Sequence, residues 1–168
     1  MEEAAFFTVG DGRILVRAEG HMTALLCPSL KARIFGALEA PEAPACVDFD
    51  LSACEYMDST FLGLIVGVCK RLKSRSGGGR VVLHRTNEAC LGLLRTIGVL
   101  GLVELSSEPC RGSEGMERIE GGPKASARFI LDAHEELSAL SEENRSRFST
   151  LAAALRGALK DEGAGSRD

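Results

Sequence analysis

Runs of apolar, β-prone residues alternate with apolar stripes of helical spacing over the first two thirds of the chain. Alternating runs bounded by turn residues are typical of strands, whereas apolar positions three and four residues apart are typical of helices. Because Gly10, Asp11 and Gly12 separate the first two runs, these runs predict a β-hairpin. The predicted strands cover residues 6–9, 13–18, 45–51, 80–84 and 102–105.

Three helices are predicted between these strands, over residues 28–38, 59–73 and 87–98. Pro28 opens the first helix, where the missing N–H of proline does no harm. The second helix follows a short loop after the strand that ends at Leu51. Asn87 can cap the third helix and Gly98 can close it. Strands that alternate with helices through short connections indicate an α/β fold, with parallel strand pairs beside the hairpin.

The pattern changes after residue 106, where the α/β domain of residues 1–106 is predicted to end. Residues 107–125 are rich in glycine, proline, serine and glutamate, and they predict a linker. Apolar positions at helical spacing return over 126–162, followed by a frayed tail at 163–168. This second pattern predicts an amphipathic C-terminal extension of one long helix or two shorter ones.

The apolar stripe of the C-terminal extension has to be buried, because such a stripe is not stable facing water. It either packs on the chain's own α/β domain or forms an interface, with a partner or with a second copy in a homodimer. Asn144 is a polar residue inside the stripe and could set the register of a coiled coil. The sequence leaves these alternatives open.

Composition and charge narrow the classes of function. The chain has 168 residues, of which 45% are hydrophobic, so a folded core is expected. A formal net charge of -4 and the absence of tryptophan argue against a nucleic-acid binder. The apolar runs are too short to span a bilayer, and the acidic N-terminus lacks the pattern of a secretory signal. We therefore expect a cytoplasmic protein without membrane insertion.

The cysteines and histidines do not form a recognisable ligand pattern. Six cysteines are scattered without a C-x-x-C pair, and the three histidines lie far apart along the chain. Free cysteines behave as small hydrophobes in the cores of reduced, intracellular proteins. We therefore predict free thiols, no metal site and no cofactor.

The most informative segment surrounds the start of the second helix. The Asp58 carboxylate can cap this helix by accepting from free N–H groups of the first turn, in which Ser59 and Thr60 lie. A phosphate on Ser59 would lie at the positive end of the helix dipole, which tolerates negative charge. Modification there would change the surface charge and leave the fold intact, which suits a binding switch better than catalysis. The alternative is that Asp58 and Ser59 only cap the helix.

The sequence DSTFLG at 58–63 resembles the helix-opening motif of the STAS domain family, the sulphate-transporter and anti-sigma-factor-antagonist fold. Two further matches are DLS at 50–52, where the family has a strand ending, and LLRTIG at 93–98, where it has a late helix. The resemblance covers residues 6–105 and implies a mixed β-sheet of four to five strands with helices packed on it. The C-terminal helical extension lies outside the resemblance.

The resemblance implies that the protein is a bacterial anti-sigma factor antagonist and not an enzyme. Soluble members of the family bind, when unphosphorylated, an anti-sigma factor that is also a serine kinase, and so free a sigma factor. The serine that this kinase phosphorylates corresponds to Ser59, and a phosphatase reverses the modification. The absence of a Gly-x-Ser-x-Gly motif and of a histidine near Ser59 in the sequence also argues against nucleophilic catalysis.

The predicted contact residues for the partner are Asp58, Thr60, Phe61, Leu62 and Val66. Leu62 and Val66 lie one turn apart on an apolar helix, which leaves two alternatives: they contact the partner, or the C-terminal helix covers them. Phe61 stands where the family usually has glycine, and its bulk points either to the core or to the partner. This departure favours an alternative function, a STAS adaptor subunit that binds a transporter ATPase or a signalling scaffold without being phosphorylated.

Overall fold

The computed structural model describes residues 2–112 and 114–165. Within these residues the chain forms a sheet of six strands, three helices between the strands and two helices after them. The elements are, in chain order, β1 (Ala4–Gly10), β2 (Arg13–Met22), α1 (Cys27–Leu38), β3 (Cys46–Met57), α2 (Ser59–Lys73), β4 (Arg80–His84), α3 (Glu88–Ile97), β5 (Glu104–Ser106), β6 (Glu117–Arg118), α4 (Ala127–Ser138) and α5 (Glu142–Gly165).

The strands are arranged in the order β5-β4-β3-β2-β1-β6. β1 and β2 form the predicted antiparallel hairpin, and the neighbouring strands from β2 to β5 are parallel. The predicted α/β fold with a mixed sheet is therefore confirmed. The sheet has six strands instead of four to five, because Glu117 and Arg118 in the predicted linker segment pair with Phe7 and Phe6 of β1.

The core lies between one face of the sheet and the helices α1, α2 and α3. Side chains alternate between the two faces of a strand, and the apolar ones on this face are buried. They include Ile14, Val16, Val47, Phe49, Leu51, Val81 and Leu83. All six cysteines are free thiols and five of them are buried, in agreement with the sequence prediction.

The prediction that β3 ends at Leu51 was wrong, because the strand continues to Met57. Its second half keeps pairing with β2 after a shift in register, up to the pair of Met22 and Met57. This second half lacks a regular apolar alternation, so backbone pairing and not side-chain pattern extends the strand. As a result no loop separates β3 from α2, and the backbone N–H of Asp58 donates to the carbonyl of Met22 over 2.9 Å.

The C-terminal extension forms two helices that pack on this chain's own domain. α4 lies against α2, and α5 lies against α4. The buried side chains of α4 are Leu131, Ala133, His134 and Leu137. α5 runs to Gly165, two residues beyond the predicted start of the frayed tail, and the rest of that tail lies outside the described residues. Among the described helices, none has the length and apolarity needed to cross a bilayer.

Asn144 ties the extension to the domain and is buried. Its side-chain nitrogen donates to the carbonyls of Ile97 at the end of α3 and of Leu137 in α4, both over 2.8 Å. Its side-chain oxygen accepts from Arg147 over 2.7 Å. The polar residue inside the apolar stripe therefore holds the extension in place within this chain.

We expect Asn144→Ala to destabilise the protein by about 1–3 kcal/mol, because the Ile97 carbonyl loses its side-chain donor, whereas the Leu137 carbonyl keeps the backbone N–H of Leu140. Urea unfolding followed by circular dichroism measures this loss. Ser149→Ala is the control, since the Ser149 hydroxyl is exposed and bonds only within its own helix. A loss for Asn144→Ala as small as that for the control would show that the two hydrogen bonds contribute nothing.

Candidate functional site

The N-terminus of α2 is built by Asp58, which lies between β3 and the helix. Its carboxylate accepts from the backbone N–H of Phe61 over 3.0 Å, as the sequence predicts for a helix cap. Burial raises the pKa of Asp58, although backbone hydrogen bonds to the carboxylate act in the opposite direction. Since the backbone of Asp58 is also bonded to Met22, Ser59 is held in place as the first residue of α2.

The hydroxyl of Ser59 contacts a histidine that lies far away in the sequence. Ser59 Oγ is 2.8 Å from Nε2 of His134 on α4. The His134 ring is buried and stacks on Phe148 of α5, with ring centres 5.2 Å apart. Sequence reasoning found no histidine near Ser59 because 75 residues separate the pair. Nothing in the local pattern around His134, a polar residue on an apolar helical stripe, indicates this contact.

The pair of Ser59 and His134 differs from a catalytic arrangement in one respect. A nucleophilic serine needs a base that a third group orients. Within the described residues, Nδ1 of His134 is buried and has no hydrogen-bond partner. The third group is therefore missing, and the contact positions the Ser59 hydroxyl without a triad that would activate it.

Two further contacts place α4 across the same face of α2. Gly63 meets Ala133 so closely that a Cβ added to Gly63 would lie 2.4 Å from the Ala133 carbonyl oxygen. Nearer the end of α2, the Lys70 ammonium lies 2.6 Å from the carboxylate of Glu136. At about 100° per residue, Ser59, Gly63 and Lys70 share one side of the helix. α4 covers this side.

Four of the five residues predicted to contact a partner lie inside the protein. Phe61 is fully buried and its ring meets the edge of Phe49, with centres 6.2 Å apart, so its bulk points to the core. Thr60, Leu62 and Val66 are also buried. In this conformation these four side chains offer no surface to a partner, and Asp58 is half-buried. Their predicted partner contacts therefore require a different conformation.

The family model described as "Mlab, STAS domain" matches residues 7–104, more than half of the chain. The chain belongs to this STAS domain family. Comparison with curated protein sequences gave no match.

Solved STAS-like structures share the fold at low sequence identity. The anti-sigma factor antagonist SpoIIAA in its unphosphorylated form matches with a TM-score of 0.53 and 17% identity, over 62% of this chain and 89% of that one. An anti-sigma factor antagonist from Mycobacterium paratuberculosis matches with a TM-score of 0.53 and 19% identity, over 64% and 87%. The Bacillus cell fate determinant SpoIIAA in the phosphorylated form matches with a TM-score of 0.51 and 18% identity, over 62% and 92%.

The STAS family match ends before α4 and α5 begin. The helix that covers Ser59 therefore lies outside the matched part of the STAS domain. The family model therefore includes Ser59 but not His134, and it does not describe the contact between them.

A second polar cluster lies on the sheet face opposite the core of the STAS domain. Asp48 is buried, and its carboxylate accepts from His84 over 2.7 Å and from Arg13 over 2.5 and 2.7 Å. Burial raises the pKa of Asp48, but the hydrogen bonds from Arg13 and His84 outweigh this effect and lower it. Cys110 brings a sulfur within 4.8 Å of the Asp48 and His84 donor atoms.

This cluster around Asp48 fits an ion-pair network better than a metal centre. Both carboxylate oxygens of Asp48 already accept from Arg13. A cation would have to displace this guanidinium, whose positive charge also opposes its approach. The donor set of Asp48, His84 and Cys110 therefore does not present free ligands to a metal ion.

His134 makes the docking of α4 dependent on pH. Burial lowers the pKa of His134, against the opposing effect of the Asp58 carboxylate, so the folded protein favours the neutral ring. The neutral ring therefore gives its full contribution to folding stability above about pH 6.5, the ordinary pKa of histidine in the unfolded chain. This contribution is lost as the pH falls below that value towards the lowered pKa of the folded protein. We expect the backbone amides of α4 to lose protection from hydrogen exchange at pH 5.5 relative to pH 7.5.

The control for this pH dependence is a pair of variants. His134→Gln removes the titrating ring and should flatten the pH dependence, whereas His21→Gln replaces an exposed histidine and should leave it unchanged. An unchanged pH dependence in His134→Gln would assign the effect to another group.

Proposed function

We propose that this STAS domain is an anti-sigma factor antagonist whose binding to an anti-sigma factor is switched by phosphorylation of Ser59. The observation that carries the proposal is the position of Ser59 as the first residue of α2, directly after the capping Asp58. This is the position of the target serine in the motif that residues 58–63 resemble. The fold shared with antagonists solved in unphosphorylated and phosphorylated forms supports it.

The chemistry at Ser59 follows from this position. A partner kinase would transfer the γ-phosphoryl group of ATP to Ser59 Oγ, which loses its proton, while the bond to the β-phosphate breaks and ADP leaves. A phosphatase would hydrolyse the resulting ester with water and release inorganic phosphate. The phosphate adds up to about two negative charges at the N-terminus of α2, where the free N–H groups and the helix dipole tolerate them. The STAS domain is the substrate in this exchange and not the catalyst.

The proposal is tested by the intact mass of the protein purified from its own cells. We expect a fraction that carries one phosphoryl group, which fragmentation assigns to Ser59. Ser59→Ala should remove this fraction, and Thr60→Ala should keep it. The absence of phosphate under all growth conditions, or its presence at another residue, would contradict the proposal.

The second candidate is a STAS adaptor that binds its partner without phosphorylation. The specific observation in its favour is that α4 covers the face of α2 that begins at Ser59, and that His134 already bonds its hydroxyl. The mass measurement discriminates between the two functions, because an adaptor stays unmodified. If the protein is an adaptor, the Ser59→Ala and Ser59→Asp variants should also bind the partner with equal affinity.

A further inference from the structure

The face of α2 that carries Ser59, Gly63 and Lys70 already holds a helix in this structure. We propose that this face is a helix-docking surface, that α4 occupies it as an internal ligand, and that a partner helix has to displace α4 to bind. The role of the partner rests on the proposed function, but the docking surface itself does not.

The three contacts on this face come from one turn of α4. Ala133, His134 and Glu136 meet Gly63, Ser59 and Lys70 respectively. The first and last of the three positions on α2, Ser59 and Lys70, are 11 steps apart, which is about 16 Å along a helix. One turn of a crossing helix therefore contacts a small residue, a hydroxyl and a cation on α2.

These contacts define the kind of helix that fits. The position opposite Gly63 accepts only a small side chain, because the backbone of Ala133 already lies against that glycine. The next residue has to bond the Ser59 hydroxyl, and an acidic residue two positions later has to face Lys70. A partner of this chemistry presents a helix with the order small, hydrogen-bonding, any residue, acidic.

α4 has features of an exchangeable ligand. The docked state leaves Nδ1 of the buried His134 ring without a partner, and undocking returns this ring to water. The ion pair of Lys70 and Glu136 lies at the rim, where both side chains remain partly exposed. Gly121, Gly122 and Pro123 precede α4 and are exposed, so this part of the connection is not held in the core.

A docked helix and a phosphate on Ser59 exclude each other. Ser59 Oγ lies 2.8 Å from His134, so no room exists for a phosphoryl group between them. The close contact of Gly63 with Ala133 also prevents α4 from sliding along α2 to make room. Phosphorylation of Ser59 would therefore prevent both α4 and a partner helix from docking. When Ser59 is unphosphorylated, α4 and the partner helix compete for the same surface of α2.

The experiment uses the full chain with Ala133→Leu, a change on the ligand helix that leaves the docking surface intact. Leucine cannot fit against Gly63, so α4 undocks. The probe is a fluorescent peptide with the natural sequence of residues 124–140. We expect Ala133→Leu to bind this peptide at least about tenfold more tightly than the natural chain, because competition by α4 is removed.

Matched controls define the result. Ala154→Leu makes the same substitution at an exposed position of α5 and should bind the peptide as weakly as the natural chain. A peptide carrying leucine at position 133 should bind neither protein. His134→Ala removes the contacts with Ser59 and Phe148 and should also undock α4. It replaces Ala133→Leu if that variant does not fold.

A second arm tests the exclusion of negative charge. Adding Ser59→Asp to the Ala133→Leu chain should abolish peptide binding. The proposal is overturned if hydrogen exchange shows α4 undocked and the peptide still does not bind, or if Ser59→Asp leaves binding unchanged. If the peptide binds but Ser59 is never phosphorylated in cells, the docking surface stands and the proposed switch fails. If Ser59 is phosphorylated and the peptide does not bind, the switch stands and the docking surface fails.

Discussion

Replacing Gly63 with alanine is expected to detach α4 and α5 from α2 while the sheet and its three helices stay folded. The added Cβ would lie 2.4 Å from the carbonyl oxygen and 2.8 Å from the carbonyl carbon of Ala133. These are backbone atoms of a helix, so they cannot turn aside as a flexible side chain would. Phe61 and Ile65 anchor α2 in the core, and α4 therefore has to move.

The expected cost of this change is about 3 kcal/mol of docking free energy, the upper end for overpacking a close contact. Hydrogen exchange measured by mass spectrometry should show loss of protection over α4 and α5 with little change in β1 to β4. Gly67→Ala is a matched control on the same helix, because the nearest atom to its added Cβ is Phe35 Cζ at 4.0 Å. Equal protection of α4 in both variants would contradict the close approach at Gly63.

Replacing Asp48 with alanine is expected to destabilise the domain by about 2–4 kcal/mol, because the change leaves two buried or partly buried donors without a partner. His84 lies under the loop that follows β5 and cannot turn to water, whereas Arg13 is half-exposed and can. This difference limits the loss to the lower part of the range for a broken buried ion pair. Urea unfolding at pH 7 measures it.

The control for Asp48→Ala is Glu104→Ala, which breaks an exposed ion pair with Arg80 and should cost less than about 1 kcal/mol. The effect of Asp48→Ala also depends on pH. Since the pKa of Asp48 is lowered in the folded protein, its stabilisation is present at neutral pH and is lost as the pH falls through that lowered value. A difference from the natural chain that persists in strong acid would therefore contradict the ion-pair origin.

The region around α2 shows which features local sequence can predict. The helix begins at Ser59 and ends at Lys73 as predicted, because a capping aspartate, an apolar pattern and a following glycine run are all local signals. The end of β3 was mispredicted because it depends on pairing with β2, about 35 residues earlier in the chain. Strand length is decided by a neighbour that the local pattern does not contain.

The partners of the predicted site residues could not be derived in the same way. Sequence patterns predicted an exposed Ser59 on the first turn of a helix, whereas the structure has this residue half-buried. His134 reaches it only because the C-terminal helices fold back onto α2. Asn144 likewise donates to the carbonyls of Ile97 and Leu137 within this chain, contacts that its position in the apolar stripe does not predict.

The sequence by itself determined the α/β fold, the STAS resemblance and the capped start of α2, because periodicity, caps and turns act between residues a few positions apart. It also determined that the apolar stripe of the C-terminal extension has to be buried. Only the tertiary structure decided that this stripe is buried against α2 of the same chain. The absence of a side chain at Gly63 opens a groove that Ala133 fills, and this fit of two backbones places His134 on Ser59. Shape complementarity between distant segments is a property of packed surfaces and leaves no periodic signal along the chain.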